Sequence, residues 1–240
     1  MDSAALDAPK QESLDFARAF RFVFDDPDWL KKVLMGSLFT LLTALLVGTV
    51  FLAGYFSRLI QRTARGERHP LPDWDDLGGL FSSGVRAMGA YCVYMLAVLL
   101  PLFGVGLVVA LMAGGLSAGG NETAARGAGA LAGVGFVLAY GFFILAMLAL
   151  MLYLPAALTR LALSERFGTA FEVQANFAFI RRSPLNYFLA LVFYLVASFA
   201  AQFGILACCV GLLPATFWSL CVFGFALGEV ARLGPGPLGD

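Results

Sequence analysis

Long stretches without a charged residue alternate with short charged ones along this chain. Residues 33–57, 87–121, 127–159 and 183–228 contain no Asp, Glu, Lys, Arg or His, and are 25, 35, 33 and 46 residues long. About 20 apolar residues cross a bilayer core as a helix. The first three runs therefore hold one span each and the last holds two. The pattern predicts an all-α polytopic transmembrane helix bundle of about five spans, near 33–55, 88–112, 128–154, 187–210 and 212–230. The last two are joined by a tight turn at Gly211-Leu212-Leu213-Pro214.

Three mixed segments precede spans. In Asp73–Arg86, Trp74, Leu77, Leu80, Phe81, Val85 and Met88 recur at helical spacing, with Asp73 placed to cap the start. In Thr169–Arg182 a capping box, Thr169-x-x-Glu172, leads into Val173, Phe177 and Ile180. In Ser13–Phe24, Phe16, Phe20, Val23 and Phe24 form one face, with Arg18 and Arg21 opposite. All three read as amphipathic helices lying in the membrane interface. The domains expected are a tail over 1–32, a single bundle over 33–232 and a flexible C-terminal tail over 233–240.

The placement of charge refines the topology. Of 16 Lys and Arg, five precede residue 33, five lie in 58–86, one (Arg126) in 113–127, four in 160–182 and one (Arg232) near the end. Basic loops stay cytoplasmic, which puts 58–86, 160–182 and the C-terminus inside and the Gly-rich 113–127 loop outside. If 33–57 is a full span, ten basic residues are inside and six outside; if it is a re-entrant hairpin, the tally is 15 to one. Charge prefers the hairpin. Backbone hydrogen bonding opposes it, because unsatisfied groups in lipid cost several kcal/mol each and residues 42–47 offer no Gly or Pro for a turn. The balance taken here is five spans. Residues 1–32 have no uninterrupted apolar core for a cleavable signal, so the first span is expected to direct insertion.

A hydrophobic content of 60% with 13% charged residues agrees with a membrane protein. The formal charge of zero removes any bulk field for nucleic acid. Cys92, Cys208, Cys209 and Cys221 all fall in apolar runs without metal-ligand spacing and read as small packing residues.

The stretch Asp26-Pro27-Asp28-Trp29-Leu30-Lys31-Lys32 runs into Gly36, and Gly54-Tyr55 follow. Then comes Leu71-Pro72-Asp73-Trp74-Asp75-Asp76, continuing to Leu80-Phe81-Ser82-Ser83-Gly84. From about residue 15 to Arg232 this chain resembles the prokaryotic membrane family known as domain of unknown function 4013. The resemblance implies a multi-pass fold in a prokaryotic membrane, and no activity, cofactor or catalytic residue.

Candidate chemistry is sparse. Asp25, Asp26, Asp28 and Asp73, Asp75, Asp76 could hold a divalent cation only if the fold joined them. Capping and dipole complementation, with Pro27 at a first helical position, is the simpler account. The single histidine, His69, lies in an Arg-Gly-Glu-Arg-His-Pro loop with no nucleophile or metal partner nearby in sequence. Arg58, Arg62, Arg65, Arg68, Arg181 and Arg182 flank spans and are placed to contact lipid headgroups, at roughly 1 kcal/mol per charge. Gln202, the most polar side chain deep in a span, is expected to hydrogen-bond across to another helix. Gly129-x-x-x-Gly133 and Gly224-x-x-x-Gly228 are expected to bring helices close within the bundle. Asn121-Glu122-Thr123 fits a glycosylation sequon, of little meaning in a prokaryote.

The expected protein has no catalytic, cofactor or metal site. It is a non-enzymatic accessory or scaffold component of the inner (cytoplasmic) membrane, with its C-terminus cytoplasmic. Its partners would be lipid and a membrane protein or a second copy of itself, not nucleic acid. The competing reading is a transporter or permease component for a lipid or weakly polar solute, with a cavity at Pro101, Gly104, Gly106, Gln202 and Pro214. Coupled transport is disfavoured by the charge-free runs.

Overall fold

The computed structural model describes residues 14–118, 122–206 and 211–234. Among them there is no strand. The helices are α1 (Phe16–Arg21), α2 (Trp29–Leu41), α3 (Val47–Ala64), α4 (Leu77–Ala118), α5 (Glu122–Ser164), α6 (Val173–Arg182), α7 (Pro184–Gln202) and α8 (Leu212–Leu233). Four are long and apolar enough to cross a membrane: Leu77–Met112, Gly129–Ser164, Pro184–Leu206 and Leu212–Leu233.

The first apolar run is not among them, which corrects the expectation of five spans. It folds as a helical hairpin, α2 and α3 joined by a 3₁₀ turn over Leu42–Leu45. Leu46 supplies the reversal in the left-handed region, at φ 62°. Three hydroxyls take up backbone carbonyls near the turn: Ser37 Oγ donates to Val33 O, Thr40 Oγ1 to Gly36 O and Thr43 Oγ1 to Thr40 O (2.7, 2.8 and 2.6 Å). Gly48, just past residues 42–47, lets α3 start hard against the Phe39 carbonyl, where a Cβ would collide. Phe39 and Phe51 then close the hairpin, ring centroids 4.9 Å apart. The backbone cost that argues against a turn is reduced by the turn's own bonds, Leu42 N to Leu38 O and Leu46 N to Thr43 O.

The described residues divide into two compact units, Met1–Ala87 with Ala156–Asp240, and Met88–Pro155. In the first, α8 is the axis, packed by α3, α7, α2 and α1. Of its most apolar window 61% is buried within the protein, against none for α4 and α5. Gly224 and Gly228 let α8 close on α3 as expected: a Cβ on Gly228 would sit 2.9 Å from Ile60 O, and one on Gly224 3.0 Å from Leu59 Cδ2. Gly129 and Gly133 face open space instead and join no helices. In the second unit, Tyr94 and Tyr153 meet through their hydroxyls at 3.2 Å.

The interfacial segments also differ in detail from expectation. Residues 77–86 are the opening turns of the 42-residue α4, not a separate helix. Its cap is Asp76, whose Oδ1 accepts from Gly79 N at 2.9 Å. The first segment shortens to α1, capped by Asp15, and its rings lie on the bundle: Phe20 contacts Phe193 and Trp218, and Phe22 stacks on Phe225 at 4.3 Å. The third is α6, where Glu172 sits at the N-cap position and leaves the capping box unformed. Its side chain pairs with Arg160 instead, at 2.8 Å. Pro101 lies inside α4 without breaking it, and Pro214 falls in the first turn of α8, where no backbone donor is lost. Cys208, Cys209, Asn121 and both tails as far as residues 13 and 235 lie outside the described residues.

Candidate site at the charged end

The two acidic clusters do meet, around a lysine. Lys32 points from the first turn of α2 into the mouth of the hairpin, and its ammonium has three donors to place. It donates to Asp26 Oδ2 at 2.9 Å and the Leu71 carbonyl at 3.1 Å, and pairs with Asp73 Oδ1 at 3.0 Å. Asp26 is 2% exposed and Lys32 7%, so this is a buried pair. Asp26 Oδ1 also accepts from Asp28 N at 2.9 Å. Asp28 rather than Asp26 occupies the cap position of α2, and Pro27 precedes the helix. Asp26 and Asp73 therefore hold a lysine where they were expected only to cap. Asp25, Asp28 and Asp75 are exposed. Among the described residues no group of three or more His, Cys, Asp or Glu is placed to hold a metal ion.

Trp74 locks the same mouth. Its ring lies between Phe39 and Tyr55, 4.6 Å from each, and its Nε1 donates to Lys32 O at 3.1 Å. Arg62 adds a second cation, donating to Leu71 O at 2.7 Å and pairing with Glu67 at 3.0 Å. The Asp-Pro-Asp-Trp-Leu-Lys-Lys and Leu-Pro-Asp-Trp stretches are thus two halves of one structural knot.

Around it the remaining charges gather. Glu229, buried on α8, receives Arg232 at 2.7 Å and Arg18 at 3.7 Å. Arg58 pairs with Asp76 at 2.6 Å. That hydrogen bond, helped by the Gly79 amide, holds the Asp76 carboxyl below the usual aspartate range. Arg86 donates to Glu165 O at 2.6 Å, and Gln61 Nε2 to Glu165 Oε1 at 3.0 Å.

Two clefts open beside Gln61. One, of about 360 Å³, is lined by Arg58, Arg62, Arg65 and Arg86 with Ser82, Ser83 and Glu165. The other, of about 670 Å³, is lined by Arg65, Arg160, Arg166 and Arg182 with Gln61, Ser164, Thr169, Glu172 and the apolar Leu163 and Phe179. Of the arginines predicted to meet headgroups, Arg58, Arg62 and Arg65 share the first cleft, and Arg65 and Arg182 the second. Arg181 lines a neighbouring groove on α6, and Arg68 is exposed in the loop beside His69. Arg86, Arg160 and Arg166 were missed. Arg86 and Arg160 sit at the edges of apolar runs and Arg166 within the charged segment 160–182, and only the fold brings them to the same clefts.

Gln202 ends α7 with its side chain exposed. The cross-helix hydrogen bond expected of it is not formed among the described residues. The reason is position: α7 gives way to a 3₁₀ turn at Phe203, so Gln202 lies at the end of a helix rather than within one. Gly104 and Gly106 have open space beside them.

Four long apolar helices, with ion pairs gathered at the hairpin mouth and helix ends of the larger unit, define an α-helical, multi-pass membrane protein. The chain belongs to the family described as protein of unknown function (DUF4013), whose model matches residues 37–210. The match contains the Leu71–Trp74 half of the knot and begins after its Asp26–Lys32 half. No curated protein and no solved structure matches the chain.

Proposed function

We propose that this is a non-enzymatic scaffold or accessory component of the cytoplasmic membrane, held by four spans, with the α2–α3 hairpin dipping into the leaflet on its charged side. The observation that carries the reading is the way the hairpin returns the chain. Lys32 reaches Asp73 and Arg18 reaches Glu229, so the N-terminal segment shares one end with 58–86 and the end of α8. That gives the 15-to-one distribution of basic residues, which the positive-inside rule assigns to the cytoplasm, with the C-terminus on that side. The hairpin tip (Leu41, Leu45, Leu46, Val47) is apolar and exposed, as suits immersion in lipid. An arm of 13 residues reaches about 20 Å, short of the roughly 30 Å hydrocarbon core. Lys32, Asp26, Arg58, Asp76, Arg160, Glu172 and Glu229 are taken up in ion pairs that brace the fold, a use that suits a scaffold.

Gentle affinity purification in native lipid, with mass spectrometry of what co-elutes, tests this. A stoichiometric second membrane protein is the expected result. A partner-free particle carrying one reproducible solute would overturn it in favour of a permease component.

A further inference from the structure

We infer that the 670 Å³ cleft between the ends of α3 and α5 and the flank of α6 is a binding site for the phosphate headgroup of an anionic lipid. The volume lies within the range of about 300–1,000 Å³ usual for small-molecule sites. Arg65, Arg160, Arg166 and Arg182 line it, with Glu172 the one acid among the lining residues. Glu165, which is not part of the lining, accepts from Gln61 Nε2.

The cations differ in their state. Arg160 is pre-set: its Nη1 donates to Asn176 Oδ1 at 3.0 Å, its Nη2 to Glu172 at 2.8 Å, and Asn176 is wholly buried and fixed by donating to Ala170 O at 2.7 Å. Arg65 and Arg166 make no ion pair with any described residue, so their forks are free for a bidentate phosphate contact. The surroundings favour a lipid over a soluble ester. Ala178 and Arg182 also border an adjoining groove of about 510 Å³ along α6, which ends on the exposed apolar side chains of Val173 and Phe177. A head bound among the arginines thus has an apolar path for its chains.

The assignment deepens the scaffold reading, since it rests on this end facing headgroups, but it is tested apart from topology or partners. The full-length protein in mild detergent is titrated with phosphatidylglycerol, phosphatidylcholine and glycerol 3-phosphate and followed by native mass spectrometry. The variants are Arg65→Gln with Arg166→Gln, both exposed and unpaired and so safe for folding, and Arg68→Gln as a basic control outside the cleft. The expected result is one tightly retained phosphatidylglycerol, weakened roughly thirtyfold in the double variant at about 1 kcal/mol per charge, and unchanged in R68Q. Equal retention of phosphatidylcholine, an unaffected double variant, or an equal loss in R68Q would overturn the site. Glycerol 3-phosphate binding as tightly as the lipid, with the same dependence on Arg65 and Arg166, would overturn the lipid assignment in favour of a soluble phosphate ester.

Discussion

Replacing Lys32 with Met removes the cation between two carboxylates and keeps the apolar stem. Asp26, 2% exposed, would then hold a buried charge whose remaining partner is the Asp28 amide. Breaking a buried pair in this way costs about 3–5 kcal/mol. Asp73, by contrast, has a side chain 54% exposed, and Asp73→Asn should cost under about 1 kcal/mol because water replaces the interaction. The double variant D26N/K32M leaves no buried charge, and its cost should fall well short of the sum of the single costs, with a coupling of about 1–3 kcal/mol. The assay is chemical denaturation in mild detergent, followed by tryptophan emission in a background with Trp29 and Trp218 replaced by Phe, so that Trp74, stacked on Phe39 and Tyr55, reports the opening of the knot. If K32M lies within about 1 kcal/mol of the parent, or D73N costs as much as K32M, the buried ammonium is not what holds the hairpin mouth.

Further outcomes follow from the close contacts and from Asp76. At Gly54 a Cβ would strike the carbonyl of Leu80, and at Gly84 that of Val50, so G54A and G84A should each destabilise by about 1–3 kcal/mol. At Gly129 and Gly133, with nothing nearby, Ala should instead add about 0.5–1 kcal/mol of helix stability each; thermal unfolding of the four variants checks both signs. In a cysteine-free background, single cysteines at Ser13 and Ser82 should react from one side of the membrane and one at Asn121 from the other; opposite sides for Ser13 and Ser82 would sink the hairpin. Asp76 has a folded-state pKa below its unfolded value of about 3.9. Its contribution is therefore present above that value and lost as pH falls through the depressed one. The protection of the Gly79 and Leu80 amides, relative to their intrinsic exchange rates, should fall over that acid range, and D76N should remove that fall.

Length, charge and apolar periodicity carry far in this sequence. They locate the four long helices and the charged end they share, because a membrane span is a composition as much as a fold. The hairpin was legible in the charge tally and lost in the search for a turn, since Leu46 takes a left-handed backbone that its residue type does not announce. The capping assignments failed for a related reason. Asp26 and Asp73 look like helix starts locally, and only the return of the hairpin puts Lys32 between them. The clefts depend on residues a hundred positions apart, Gln61 with Glu165 and Arg65 with Arg166, which no local pattern relates.

The turn at Leu46 also bears on how the chain is made. A full first span would oblige the insertion machinery to export residues 1–32, with five basic and seven acidic side chains. The Lys and Arg of that segment next to the first apolar run oppose export under the positive-inside rule. Doubling back would, in the proposed orientation, keep the segment ahead of the hairpin on the side where it is synthesised. In the proposed orientation the charged freight for translocation shrinks to Glu122 and Arg126 at the start of α5. The knot, the clefts and the buried Glu229 pair can then all assemble beside the ribosome, without waiting for anything to cross.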